Sequence, residues 1–150
     1  MKLAEALTIR KDLQTKISRI RERLNANARV QDGLEPNEDP KVLLELLGQT
    51  TKEMIDVICR INLTNTMTII DGTRLGDMIV KRDMDTRKIS VLRDFLNNAS
   101  NLTDRYSKTE ILIRSTVNVE EMQRELDRKS KEVRELDVKI QQANWTTDLL

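Results

Sequence analysis

The chain has 150 residues, carries 26 Lys or Arg against 25 Asp or Glu, and draws 38% of its residues from apolar types but only 2% from aromatics. A single domain is the expected size class, and its core has to be assembled from Leu, Ile, Val, Met and Ala, which suit narrow helix-to-helix seams. A net charge of +1 lacks the basic excess of a dedicated nucleic-acid binder, and the absence of histidine removes Ser-His-Asp triads, histidine bases and the usual zinc or helical di-iron ligand sets.

Leu3, Ala6, Leu13, Ile17, Ile20 and Leu24 recur three and four residues apart, with Arg10 in the one skipped slot. This is the spacing of a heptad seam on a first helix. The pattern fades near Val30. Gly33, Pro36 and Pro40 interrupt the backbone, and Asp39-Pro40 supplies an N-cap and a first-turn proline for a second helix. Its seam reads Leu44, Leu47, Thr51, Met54, Ile58, Ile61 and Asn65, ending near Thr66. Helices of about 25 to 30 residues would each be about 40 Å long and pair as an antiparallel hairpin.

Thr68-Ile69-Ile70-Asp71-Gly72-Thr73 then places branched residues around an Asp-Gly pair, the signature of a tight β-hairpin. A third helix carries Leu75, Met78, Arg82, Asp85, Ile89, Leu92, Leu96 and Ala99, and ends in the polar run Asn97 to Asn101. Residues 109–117 alternate and are rich in branched side chains, which predicts a strand able to join the hairpin. Asn118 and Glu121 resemble a capping box, and a fourth helix follows with Val119, Met122, Leu126, Val133, Leu136, Ile140 and Ala143. Lys129 alone interrupts it. The tail holds Trp145, expected to pack over a bundle end or against a partner chain, while lone Cys59 is expected to be a buried small hydrophobe.

The expected fold is therefore mainly α: one domain over residues 1–150, built of long antiparallel helices as a four-helix bundle or coiled coil. A small β hairpin or sheet lies between the second and fourth helices. The N-terminal residues MKLAEALTIRKDLQ interrupt their apolar positions with charges, so neither a signal-peptide core nor a membrane span is expected. A cytoplasmic setting follows from that reading.

The candidate site is the set of polar residues on the seams: Arg10, Asn62, Asn65, Arg82, Asp83 and Asp85. Charges on a seam demand partners, because an unpaired buried charge costs several kcal/mol. Such a layer can fix helix register, as a seam asparagine does in coiled coils, or line a small anion site. Among acidic groups, Glu120, Glu121 and Glu125 depart from the EExxE spacing with which helical pyrophosphohydrolases hold magnesium, so neither a metal nor a cofactor is expected. No P-loop, GxGxxG, HExxH, GxSxG or CxxC pattern occurs. The first thirty residues hold eight basic and three acidic side chains, whereas residues 31–48 hold one basic and five acidic. The basic helix lacks interleaved aromatics for base stacking, so nucleic acid is not the favoured partner. Opposite charge on neighbouring segments suits chains that complement one another in an oligomer.

KLAEAL at the start, VQDG through EDP, INLTN at 61–65, LGDMIVKRD at 75–83, RYS at 105–107, STV at 115–117 and the closing ANWTTDLL follow one another in an order that resembles a family of small bacterial helical proteins labelled septicolysin. The label implies a pore-forming cytolysin, which the lack of a tryptophan-rich membrane loop and the short chain oppose. What the resemblance implies is the helical fold and a bacterial cytoplasmic setting, without catalytic residues. The leading functional expectation is a structural or interaction protein that assembles through antiparallel coiled-coil helices, with a homodimer favoured. Two alternatives stand beside it: an anion- or nucleotide-binding protein or enzyme using the polar layer, its small-molecule ligand unspecified, and a nucleic-acid-associated protein using the first helix.

Overall fold

The computed structural model describes residues 1–102 and 112–150. It contains four helices, α1 (Leu3–Ala26), α2 (Pro40–Met67), α3 (Leu75–Ser100) and α4 (Val119–Thr146), with strands β1 (Ile69–Ile70) and β2 (Thr73–Arg74) between α2 and α3. The protein is mainly α with a two-stranded antiparallel sheet. By internal contacts the chain divides into two compact units, one formed by residues 1–75 with 143–150, the other by residues 76–142.

In the first unit α1 and α2 form an antiparallel hairpin. The Glu5 carboxylate accepts from the backbone N–H of Lys2 at the start of α1. Asp39 accepts from the Lys41 N–H at 2.9 Å at the start of α2, where Pro40 occupies the first turn without wasting a donor. In the connection, Asn27 is buried and ties its two sides together. Its amide nitrogen donates to the Arg23 carbonyl and its oxygen accepts from the Glu38 N–H at 3.0 Å. Leu3, Ala6, Leu13 and Ile20 of α1 are buried, as the heptad reading of the first helix requires.

On α2 the inward face differs from expectation by one residue at alternate positions. Leu43, Thr50, Ile61 and Thr64 are buried, and Leu47, Met54 and Val57 are partly buried, whereas Leu44 is 56% exposed and Thr51 is exposed. Leu47, Met54 and Ile61 belong to both versions of the seam. The correction concerns Leu44 and Thr51, which yield to Leu43 and Thr50; further along, Val57 and Ile58 are both partly buried, and Thr64 is buried beside a half-buried Asn65. The physical reason is that a threonine can be buried in a helix when its hydroxyl is satisfied locally. Thr50 Oγ1 donates to the Leu46 carbonyl and Thr64 Oγ1 to the Arg60 carbonyl, each at 2.8 Å. Cys59 falls off this face and is exposed, contrary to the expected buried thiol.

The Asp-Gly pair forms the expected tight turn. Asp71 and Gly72 have φ of 48° and 80°, and Ile69 pairs with Arg74 and Ile70 with Thr73. The last residues of the chain return to α1 and α2. Leu3 N–H donates to the Thr147 carbonyl and Leu149 N–H to the Met1 carbonyl, both at 2.9 Å, with an isolated bridge between Lys2 and Asp148. Leu150 N–H donates to Thr64 Oγ1 at 3.0 Å, and Arg60 Nε donates to the Leu150 carbonyl at 2.8 Å. Thr64 is thus both a buried seam residue and an anchor for the tail. Trp145, expected to pack over a bundle end or against a partner chain, is 65% exposed, which removes the first of those alternatives.

In the second unit α3 and α4 run antiparallel and meet through side chains. Ile89, Leu96 and Leu126 form its buried centre, with Leu92, Val119, Met122 and Val133 packed around them. Each of these lies in a seam position read from the sequence. Asn118 Oδ1 accepts from the Glu121 N–H at 3.1 Å and so caps α4. The strand expected over residues 109–117 divides: 109–111 lie outside the described residues, and 112–117 carry no strand. Leu112 is fully exposed, and Ser115 Oγ accepts from the Val117 N–H in a local turn. Branched side chains favour a strand where a paired neighbour and a buried face are present, and 112–117 have neither among the described residues.

Candidate functional site

The seam polar residues fall into two groups that belong to different units. Arg10 is half-buried on α1, Asn62 is exposed on α2, and Asn65 is half-buried one turn further on. Asn65 Oδ1 is buried without a hydrogen-bond partner among the described residues, as is Oδ1 of Asn144. Each such acceptor costs about 1–3 kcal/mol.

Arg82, Asp83 and Asp85 lie in the second unit, where α3 and α4 interpose a polar layer in their apolar seam. Arg82 occupies a seam position of α3. Its Nη1 donates to Asp137 Oδ1 of α4 at 2.8 Å, and its Nε and Nη2 reach Asp83 Oδ1 at 2.9 and 2.8 Å. These bonds, that to Asp137 foremost, hold the guanidinium pKa above its ordinary value. One turn along, Asp85 accepts from Lys81 and also feels the charges of Lys129 and Lys88, which hold its carboxyl below the usual aspartate value. Lys129 is the residue that interrupts the α4 seam, and it stands opposite the acidic interruption of α3. The cation at Arg82 meets an anion from α4, and the anion at Asp85 meets a cation from α4. Sliding either helix by a heptad would separate Arg82 from Asp137 and set Asp85 against Met122 or Leu136.

Asp137 and Lys129 complete the layer, and neither was among the candidate residues. Asp137 reads from sequence as one of the intrahelical pairs that Glu132 and Glu135 do make, with Arg128 at 2.6 Å and Lys131 at 3.9 Å. The signal that identifies it is depth: once Ile89 is set against Leu126, antiparallel counting carries Arg82 to Val133, and the long arginine side chain reaches one turn further to Asp137.

Each unit also carries an open pocket. One of about 210 Å³ between α3 and α4 has Leu92, Leu96, Met122 and Leu126 on its floor and Lys88, Glu125 and Lys129 at its rim. The other, about 430 Å³, lies along α1 and is lined by Asp12, Thr15, Lys16, Arg19, Ile20 and Arg23, with Leu46 of α2. Arg23 is already committed to Glu38 through Nε at 3.0 Å. The acidic residues of α4 do not converge. Glu120 pairs with Arg124 at 2.5 Å and Glu125 with Arg128 and Lys129 at 3.5 and 3.8 Å. Among the described residues no group of three or more His, Cys, Asp or Glu is placed to hold a metal ion. No helix among them is long and apolar enough to cross a membrane.

The depressed carboxyls give a pH expectation. Asp85 is lowered by its hydrogen bond from Lys81, and Asp148 by its hydrogen bond from Lys2. Their contribution to stability is present above the unfolded aspartate value of about 3.9 and is lost as pH falls through the lower folded value. With no histidine in the chain, stability should be flat from about pH 5.5 to 7.5 and then fall in acid. Circular dichroism melts across that range check this, and Asp85→Asn should shallow the acid limb. A double-mutant cycle on Arg82 and Asp137 should return a coupling of about 1 kcal/mol, the size of a partly exposed ion pair.

Among the described residues the geometry is that of two antiparallel helical hairpins, one with a cross-helix ion pair at Arg82 and Asp137 and the other with its tail hydrogen-bonded to α1 and α2. A family model described as a family of unknown function, DUF6847, matches residues 10–149, and the chain belongs to that family. No curated protein matches it. A solved structure described as a functionally unknown conserved protein from Corynebacterium diphtheriae is similar over 100% of this chain and 99% of its own, with 36% identity and a TM-score of 0.93.

Proposed function

We propose that this chain is a structural or interaction protein that assembles with a second copy of itself through its helical faces. The observation that carries the reading is exposed apolar surface within the first unit: Leu44, Ile55, Leu63, Met67 and Trp145 are each more than half exposed, and apolar side chains gathered on one small unit mark a surface that another chain can cover.

If folding and assembly are linked, the melting temperature rises with protein concentration. A melt followed by circular dichroism over a wide dilution series tests this, and a midpoint that does not move would overturn the reading. A cytoplasmic setting belongs to the same proposal, supported by the exposed thiol of Cys59, which suits a reducing compartment. The septicolysin resemblance enters it as shared helical architecture. The polar layer serves it by fixing how α3 and α4 meet, with Arg82, Asp83 and Asp85 as register residues.

One observation favours a second reading, in which α1 holds a phosphate-bearing partner: the pocket along that helix presents Lys16 and Arg19 beside Thr15. Retention on an immobilised nucleic acid would then fall steeply with salt. Absence of retention at low salt removes that reading and leaves the first intact.

A further inference from the structure

The inward face of α2 is the series Leu43, Leu47, Thr50, Met54, Val57, Ile61 and Thr64, spaced four and three residues apart. Shifted along the helix lies a second series with the same spacing: Leu44, Gly48, Thr51, Ile55, Ile58, Asn62 and Asn65. None of its seven members is charged. The six charges of the helix, at Lys41, Glu45, Lys52, Glu53, Asp56 and Arg60, all lie off it. Leu44 and Ile55 are 56% and 59% exposed, and Gly48, Thr51 and Asn62 are exposed as well. A solvated helix face of this length ordinarily carries charge.

Gly48 supplies an independent observation. It sits inside a helix, where glycine is a poor helix former, and its φ is not in the left-handed region. A Cβ built there meets nothing within 4 Å. Nothing among the described residues therefore needs the missing side chain, whereas a second helix crossing closely at that point would.

We propose that this second seam of α2, from Leu44 to Asn65, docks antiparallel on the same seam of a second copy of the chain. The inference rests on the self-assembly reading above and assigns it a surface. Charge selects the orientation. A two-fold axis near Ile55 places Lys52 beside Asp56 of the partner subunit, and the small Gly48 opposite Asn62 of the partner subunit. The seam spans about 32 Å at 1.5 Å per residue, long enough for three heptads of contact.

The test uses the full chain and two variants. Sedimentation equilibrium should give a dimer for the natural sequence and a monomer for Ile55→Lys, with helical circular dichroism retained. A dimeric Ile55→Lys chain overturns the α2 seam while leaving self-assembly standing, and a monomeric natural chain overturns both. A monomeric Ile55→Lys chain that melts earlier than the natural chain under conditions where both are monomeric shows that another part of the same chain covers this face, which also overturns the seam. Should Ile55→Lys fail to fold, Thr51→Cys decides. Antiparallel docking brings the new thiol close to Cys59 of the partner subunit, whereas positions 51 and 59 of one helix are about 12 Å apart, too far for an internal bridge. Mild oxidation should give a covalent dimer on a non-reducing gel, lost when Cys59→Ser is added. Failure to form that dimer at concentrations where the chain is dimeric overturns the proposal.

Discussion

Leu43→Ala is expected to lower the unfolding free energy by about 3 kcal/mol, and Leu44→Ala by less than about 1 kcal/mol, when both are measured at concentrations that keep the chain monomeric. The two leucines are adjacent in sequence and identical in chemistry, so the difference isolates the direction each faces. Leu43 is 2% exposed against α1, and truncating it removes its burial energy and leaves a cavity in a narrow seam that has few neighbours to close it. Leu44 is more than half exposed and has little burial to lose. At higher concentration the order changes, because Leu44→Ala should then weaken dimerisation. Urea unfolding of the pair checks the assignment. Equal losses would return the inward face to the Leu44 series.

Deleting residues 147–150 is expected to cost the first unit about 3 kcal/mol. The tail supplies the Thr147 carbonyl to Leu3, the Leu149 N–H to Met1, the Leu150 N–H to Thr64 and the Leu150 carbonyl to Arg60. Four such bonds at about 0.5–1.5 kcal/mol each account for that total. The Lys2–Asp148 ion pair adds little, because both groups are well exposed. Thr64→Val is the milder companion. It keeps the volume but removes the acceptor for Leu150 N–H and is expected to cost about 1–2 kcal/mol. Hydrogen exchange reports the same event locally, since the amides of Leu3 and Leu150 should lose protection in the deleted and the substituted chains respectively. Unchanged exchange in both would mean that the tail is not an anchor.

The four helices were legible because each carries a heptad long enough to outlast its interruptions, and because Asp39-Pro40, Asp71-Gly72 and Asn118 mark boundaries with specific backbone chemistry. The α3 and α4 seams read correctly through their charges, since Arg82, Asp85 and Lys129 hold the spacing even where polarity breaks it. On α2 hydrophobicity misled. Leu44 equals Leu43 on any scale, and what selects between the two faces is a hydroxyl bonding back to its own helix at Thr50 and Thr64. Composition cannot show that bond. Cys59 failed for a related reason: a residue's preference for burial does not say which side of a helix it occupies. The strand expected near residue 113 failed because propensity requires a partner, and among the described residues 112–117 have none. In the candidate site, Arg82 was visible as an anomaly, but its partner Asp137 could be recognised only from the antiparallel register of two helices, which is a property of the fold.

The most direct measurement is the solution mass of the natural chain by sedimentation equilibrium over a dilution series. The account predicts twice the 17.4 kDa of one chain, dissociating to that mass on dilution. A mass of 17.4 kDa at every concentration, with cooperative unfolding intact, would contradict it.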